Sequence, residues 1–231
     1  MIKLRAFRAV NETESCLKYV EGHVRVLTDY GIVNVTSNNL AWIENPMVYG
    51  VIAENEEGEM VGGIKVQVSD GIHPLPVEEA VGDIDPNVHR LVEHYAKDYG
   101  VGELCGLWNA KKVAGIGLSI ILVRAGISII NQLNFKIMVG ICAEYTLPMF
   151  TSVGFVVDNG LGDQGKFIYP NENYIARVLG ILNAETMETA HPCERDIILN
   201  LRNNPRQKRI ETEKGELEVY YNLVLPSYTK S

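Results

Sequence analysis

The chain has few of the features that would mark a specialised class of protein. It has 231 residues and only four cysteines, Cys16, Cys105, Cys142 and Cys193, which are widely separated and form no C-x-x-C pair. Neither a disulfide framework nor a cysteine metal site is therefore indicated. Basic residues are in the minority, with 21 Lys and Arg against 29 Asp and Glu. The formal net charge of −8 argues against non-specific binding of nucleic acid.

Long apolar segments are also scarce. The first residues lack the apolar core of a signal peptide. The most apolar window, residues 113–130, contains Arg124 and several glycines, so it predicts a buried helix rather than a membrane span. We therefore expect a cytoplasmic protein without membrane contact. The hydrophobic content of 46% is enough for a sizeable core, and the length fits one large domain or a domain with an extension.

The most distinctive stretch of the chain is GELCGLWNAKKVAGIGLS, residues 102–119. An apolar strand runs into a basic turn that contains Gly115 and Gly117, and the turn opens directly into a long apolar helix. Such a turn presents unpaired backbone N–H groups and the positive end of a helix to an anion, most naturally a phosphate. Lys111 and Lys112 add full positive charge beside it.

Hydrophobic periodicity and turn residues predict alternating strands and helices along the rest of the chain. Strands are predicted over 2–10, 46–54, 60–69, 102–108, 136–143, 154–157, 166–169 and 173–182, and helices over 13–30, 87–99, 115–133 and 144–152. A loop over 31–45 is predicted as a surface loop or as one edge of a substrate site. The strand–helix–strand unit over 102–143 is expected to be parallel with a right-handed crossover.

Two motifs in this order resemble the GNAT N-acyltransferase superfamily. The stretch from Lys112 to Gly117 looks like the family's Gln/Arg-x-x-Gly-x-Gly/Ala pattern, with Lys in the first position. The stretch from Met149 to Phe155 looks like its second signature, an aromatic residue before Gly-Phe. The resemblance implies an α/β fold, a mostly antiparallel central sheet with a splayed parallel strand pair, over residues 1–182. The alternative interpretation of the turn is a Rossmann dinucleotide-binding site. Its Gly-x-Gly-x-x-Gly pattern requires a third glycine at position 120, where this chain has Ile120.

The resemblance also implies where a coenzyme A thioester binds. In similar proteins the turn holds the pyrophosphate, and a bulge in the preceding strand exposes backbone groups to the pantetheine and the thioester carbonyl. The corresponding positions here are Cys105, Gly106 and Leu107 in the strand, and Lys112, Val113, Ala114, Gly115, Ile116, Gly117 and Leu118 in the turn. The implied co-substrate is acetyl-CoA or another acyl-CoA, and the implied acceptor is a primary amine that attacks directly in a ternary complex.

Three residues are candidates for the catalytic chemistry. By its period of two, the strand places Glu103 on one face with Cys105 and Leu107, where it is a candidate base, either directly or through water. The alternative is a carboxylate paired with a neighbouring Lys or His. Glu144 and Tyr145 end the second parallel strand and are candidate substrate contacts or an ordinary helix cap. The family's usual acid is a Tyr, and Phe150 stands in that position.

Other features leave alternatives open. The segment around Pro74 and the strand from Glu103 resemble the branch of the family that takes acyl chains from acyl carrier protein, although the Ser and Arg of its Glu-x-Ser-Arg pattern are absent. Phe150 also leaves open a non-catalytic acyl-CoA-binding module.

The spacing of His89 and His94 argues against a metal site. Residues 183–231 are predicted to be a helix-and-hairpin extension, which covers the apolar helix or forms a homodimer contact.

Overall fold

The computed structural model describes residues 1–29, 31 and 40–226. The strands are β1 (Ile2–Arg8), β2 (Val48–Glu54), β3 (Met60–Val68), β4 (Val101–Asn109), β5 (Ile137–Ala143), β6 (Val156–Val157), β7 (Lys166–Ile168), β8 (Ile175–Ile181), β9 (Arg206–Glu211) and β10 (Leu217–Asn222). The helices are α1 (Thr13–Asp29), α2 (Pro76–Val81), α3 (Asn87–Asp98), α4 (Leu118–Ser128), α5 (Leu147–Ser152) and α6 (Pro192–Asn203).

All these strands belong to one mixed sheet. The order is β6-β8-β5-β4-β3-β2-β1-β10-β9, and β7 also pairs with β8. Within the described residues only two neighbouring pairs are parallel, β4 with β5 and β1 with β10. The predicted mostly antiparallel sheet with one central parallel pair is therefore confirmed, and the last strand of the chain extends the same sheet next to the first.

Helices cover the sheet on both faces. A Cβ at Gly62 would contact Leu118 and Leu122 of α4, whereas a Cβ at the next residue, Gly63, would contact Tyr19 of α1. Because successive residues of a strand point to opposite faces, α4 and α1 lie on opposite sides of the sheet. The helices α2 and α3 share the face of α1, and α6 packs against α4.

The apolar helix α4 is buried on nearly every side, as its composition predicts. Its predicted start was wrong, because residues 115–117 are not helical. Gly115 and Gly117 have φ values of +85° and +82°, a left-handed conformation that ends the turn and that favours glycine. Helix α2 was not predicted. No helix in the described ranges is long and apolar enough to cross a membrane.

Candidate active site

The two central parallel strands separate part-way along their length. β4 and β5 pair only from Val101 opposite Ile137 to Glu103 opposite Val139. Beyond that point β4 continues beside β3 and β5 continues beside β8. A wedge-shaped opening therefore begins at Glu103, and backbone groups of both strands that a flat sheet would pair face into it.

A β-bulge in β4 produces this separation. Lys65 of β3 lies opposite Cys105, whereas Gly63 lies opposite Trp108, so β4 has one residue more than β3 between these pairs. Gly106 lies in the bulge with a φ of +64°, as is typical of a glycine bulge. The extra residue reverses the faces of the residues that follow. Leu107 packs on the α4 side and Trp108 on the α1 side, so the expectation that Leu107 shares a face with Glu103 and Cys105 was wrong.

A buried tyrosine of α1 holds the bulge. The Tyr19 hydroxyl donates a hydrogen bond to the Gly106 carbonyl oxygen. A Cβ at Gly106 would lie 2.8 Å from that hydroxyl oxygen and 3.0 Å from Cε of Lys65. Both the positive φ and this close packing therefore require glycine at position 106.

The opening between the strands forms a cleft of about 220 Å³. Its lining contains the predicted Glu103, Cys105, Gly106, Leu107 and Tyr145. The remaining lining residues come from α1, the start of α2, β5 and the segments after it, and most of them are apolar: His23, Leu27, Pro76, Ile141, Cys142, Ala143, Thr146, Phe150 and Tyr169.

Glu103 lies at the narrow end of the cleft and is completely buried. Its Oε2 accepts the backbone N–H of Val77 at 2.7 Å, and its Oε1 has no hydrogen-bond partner among the described residues. Burial raises the pKa of Glu103 to about 8, although the Val77 hydrogen bond and the positive charge of Lys65 act in the opposite direction. A carboxyl group with a pKa near neutrality is suited to gain and lose a proton during a reaction.

Two other titratable groups of the lining are neutral near pH 7. Burial raises the pKa of the Cys105 thiol to about 12, so it is a poor nucleophile. Burial, together with Lys65, lowers the pKa of His23 to about 4, so its imidazole is uncharged. Phe150 is also in the wall and packs edge-on against Phe155 with ring centres 5.5 Å apart. The Phe150 side chain has no hydroxyl group that could donate a proton from this position, where the resemblance implies a tyrosine.

The two candidates at the end of β5 lie in different surroundings. Tyr145 lines the cleft and is 74% exposed. The lining does not include Glu144, whose carboxylate instead forms an ion pair with Arg177 of β8, with Nη2 and Oε1 2.9 Å apart. The hydrogen bonds from Arg177 lower the pKa of Glu144. Most of the predicted loop over 31–45 lies outside the described residues.

The glycine turn has the free donors expected of an anion site. After a short 3₁₀ helix at Lys111–Val113, the N–H groups of 115–118 have no backbone acceptor within the described chain. Ser119 closes the turn by donating to the side-chain oxygen of Asn109 at 2.6 Å. The turn therefore presents adjacent N–H groups at the N-terminus of α4.

Carboxylates already bind the two lysines of the turn. Lys111 lies 3.1 Å from Asp29, and Lys112 pairs with Glu59 of the β2–β3 turn. These pairs hold the turn against its neighbours. The hairpin turn of the C-terminal extension is also close, because a Cβ at Gly117 would lie 3.1 Å from Cβ of Glu213. Three separate parts of the chain therefore surround the turn.

Solved structures with similar folds were found, although no protein-family model and no curated protein matches the chain. One is FeeM, an N-acyl amino acid synthase from uncultured soil microbes. It has a TM-score of 0.61 and 14% identity over 85% of this chain and 98% of that one. Another is an acyl-CoA N-acyltransferase from Pseudomonas aeruginosa, with a TM-score of 0.54 and 9% identity over 78% of this chain and 99% of that one. The fold is that of the GNAT N-acyltransferases.

A third GNAT-type structure is BjaI, a CoA-dependent acyl-homoserine lactone synthase. Its TM-score is 0.53 at 13% identity, with 88% of this chain and 90% of that one covered. At such low identities the likeness to these structures establishes the GNAT fold, and the reaction has to be argued from the residues of this chain. The sequence patterns did not identify Tyr19 or Lys65. The signal for Lys65 was a charge in the mostly apolar strand β3, whereas nothing in the mixed sequence of α1 distinguishes Tyr19.

Proposed function

We propose that the protein is an N-acyltransferase that moves an acyl group from coenzyme A to a primary amine. The observation that carries this proposal is that the strand bulge and the glycine turn form one continuous site. The bulged, separated strand β4 leads within a few residues into a turn with free N–H groups. One ligand with a thioester at one end and phosphates at the other, as in an acyl-CoA, matches both features.

The donor is proposed to lie along the open edge of β4. The pyrophosphate binds the N–H groups of residues 115–118, and the dipole of α4 favours its negative charge. The N–H groups of Val113 and Ala114, which the sequence also predicted for this role, already donate to the carbonyl oxygens of Ala110 and Lys111. The pantetheine then extends toward the backbone of Cys105, Gly106 and Leu107. A backbone N–H of the bulge, held in place before the reaction, stabilises the negative charge that develops on the thioester oxygen.

Glu103 is proposed as the group that moves the proton. The neutral amine attacks the thioester carbonyl carbon, a C–N bond forms, and the C–S bond breaks. The Glu103 carboxylate takes the proton that the nitrogen loses and returns it to the departing thiolate, so the products are an amide and free coenzyme A. Because Glu103 is completely buried, both transfers run through a water molecule in the cleft.

Tyr145 and Glu144 are proposed to have different roles. Tyr145 lines the exposed side of the cleft, which supports a contact with the acceptor. Its hydroxyl group is the alternative to Glu103 as the acid that protonates the departing thiolate, the role for which Phe150 has no hydroxyl group. Glu144 is proposed to support β8 and the end of β5 through Arg177 rather than to contact substrate.

An acyl carrier protein is the second candidate donor. FeeM is described as an N-acyl amino acid synthase, and the segment around Pro74 and the strand from Glu103 resemble the branch of the family that takes acyl chains from acyl carrier protein. BjaI, in contrast, is described as CoA-dependent. With this donor, acyl carrier protein replaces coenzyme A as the carrier of the acyl group. The thioester, the bulge and Glu103 keep the same roles. The acceptor is then an amino acid or a similar amine.

Release of free thiol tests the proposal. Purified protein is mixed with acyl-CoA of increasing chain length and a panel of amines and amino acids, and thiol and amide product are both measured. We expect release that depends on the acceptor and that falls strongly in Glu103→Gln. Tight binding of acyl-CoA without release for any acceptor would instead support a non-catalytic binding module. If no acyl-CoA binds, the same panel with acyl carrier protein thioesters decides between the two carriers.

A further inference from the structure

A lysine lies inside the protein next to the candidate site. Lys65 of β3 is only 4% exposed, and its stem packs against the Gly106 bulge. Its Nζ lies 4.1 Å from the centre of the Trp42 ring and 5.9 Å from that of Tyr19. Burial of an ammonium group is unfavourable even with partial compensation, whereas a methionine would fill a similar volume without a buried charge. The position of this charge therefore needs an explanation.

The strand register brings Lys65 close to the candidate base. Gln67 lies opposite Glu103, and Lys65 lies opposite Cys105, two residues further along the same face. Lys65 and Glu103 are therefore diagonal neighbours across the β3–β4 pair, a separation that long side chains span. Gln67 does not compensate the charge of Glu103, because its side chain donates to the carbonyl of Pro74 at 2.9 Å.

We propose that Lys65 is a positioning residue for acyl transfer: its ammonium, held against Trp42, is the counter-charge that allows buried Glu103 to ionise and act as the base. The proposal rests on the proposed function, since it assigns Lys65 a role in the same site. Trp42 and Tyr19 keep the ammonium in place through their ring faces and exclude water around it. Lys65 acts through Glu103 and does not touch the substrates.

The surroundings of Lys65 support this pairing. Burial lowers the pKa of Lys65, and its acidic neighbours act against that change. The titratable groups that face Lys65 come from three elements, and they are Cys16, Tyr19 and His23 of α1, Glu79 of α2, and Glu103 and Cys105 of β4. Burial raises the pKa of both thiols and of Tyr19, so all three are neutral near pH 7. Glu103, whose pKa of about 8 is the lowest among the buried acids of this set, is then the group that supplies the negative charge as the pH rises through that value.

The test removes the charge and keeps the volume. Lys65→Met is compared with Lys65→Arg, which retains the charge, and with Lys208→Met, which changes an exposed lysine paired with Glu218 on the far edge of the sheet. We expect the rising limb of the pH profile of kcat/KM to move upward by about one pH unit or more in Lys65→Met. Because Lys65→Arg keeps the positive charge, we expect its pH profile to stay close to that of the unmodified protein. Lys208→Met is expected to leave the profile unchanged.

A second readout does not depend on turnover. The carboxyl carbon of Glu103, identified by its loss in Glu103→Gln, is titrated by NMR in the unmodified protein and in Lys65→Met. We expect its midpoint to rise in Lys65→Met in parallel with the kinetic profile. An unchanged midpoint in a folded Lys65→Met protein would overturn the role of Lys65. Absence of turnover in the unmodified protein would overturn the proposed function instead, and the NMR titration would still decide the charge pairing.

Discussion

At the scale of single residues, the environment of Glu103 determines what its carboxyl group is able to do. The side chain lies at the point where β4 and β5 part, with one oxygen bound to the Val77 N–H and the other without a described partner. Burial places its pKa at about 8, far above that of an exposed glutamate. The same group on the protein surface would be ionised throughout the neutral range and would be a weaker base.

Substitution of Glu103 is expected to change the rate and its pH dependence together. In the unmodified protein, activity should rise with pH through about 8, because only the ionised carboxylate accepts a proton. Glu103→Gln should lower kcat by about 10²- to 10⁴-fold and should remove this limb of the profile. Kinetics from pH 6 to 10 check the prediction, and a Glu103→Gln enzyme with an unchanged profile would exclude Glu103 as the base.

Glu103 should also make stability depend on pH. Its folded-state pKa is raised from 4.5 to about 8, so its contribution is most favourable below pH 4.5 and is lost as the pH rises through 8. Chemical unfolding at several pH values should show the free energy of unfolding falling by a few kcal/mol across this window. Glu103→Gln should flatten the fall, and parallel curves for the two proteins would contradict the raised pKa.

At the scale of the elements, the bulge in β4 depends on helix α1, which contacts it through Tyr19. Tyr19 of α1 holds the Gly106 carbonyl, and the bulge in turn separates β4 from β5. The backbone N–H groups proposed to bind the thioester are therefore oriented by a hydrogen bond from another element. Small errors in such an orientation reduce the rate more than they reduce binding.

Loss of the Tyr19 hydroxyl should affect the chemical step. Tyr19→Phe leaves the Gly106 carbonyl without this donor, and we expect kcat to fall about tenfold with little change in KM for the donor. Gly106→Ala should be more severe, because its Cβ would lie 2.8 Å from the Tyr19 oxygen. Steady-state kinetics with circular dichroism as a folding control check both. A Tyr19→Phe enzyme with normal kcat would show that the hydroxyl does not orient the bulge.

Sequence patterns predicted most elements but not the details that shape the site. The β2–β3 hairpin, helix α1, the unit from β4 to β5 and the β9–β10 hairpin were predicted because their periodicity and turn residues are local signals. The reversal of faces at Leu107 was missed, because a one-residue bulge breaks the period of two without a signature besides Gly106. The burial of Lys65 was missed because it depends on α1 covering that face of β3, which is a tertiary effect.

At the scale of the whole molecule, Arg124 joins the apolar helix to the C-terminal extension. Its guanidinium is 1% exposed and contacts Glu194 of α6 at 2.6 Å, Glu211 of β9 at 3.4 Å and Glu213 of the following turn at 2.6 Å. Burial acts to lower the pKa of Arg124, but hydrogen bonds to Glu194 and Glu213 outweigh it and raise the pKa. Because Glu213 also packs against Gly117, we propose that residues 183–226 support the donor site and fold together with residues 1–182.

Removal of this arginine should destabilise the protein. Arg124→Met leaves the largely buried Glu194 without its counter-charge and the buried Glu211 with Arg209 as its remaining cation. Loss of one partner of a buried ion pair costs about 3–5 kcal/mol in comparable cases. Lys208→Met, which breaks the exposed pair with Glu218, should cost at most about 1 kcal/mol. Urea unfolding of the two variants provides the comparison. Equal stabilities would show that the Arg124 network does not hold the extension in place.

The proposed function depends most on the binding of the two ends of one acyl-CoA by the turn and the bulge. Titration of ¹⁵N-labelled protein with acetyl-CoA, followed by amide NMR, tests this claim most directly. We predict that the amides of 115–118 and of Gly106 and Leu107 shift together, and that acetyl-pantetheine, which lacks the nucleotide, shifts only the second group. Saturable binding of acetyl-CoA that leaves both groups of amides unchanged would contradict the account.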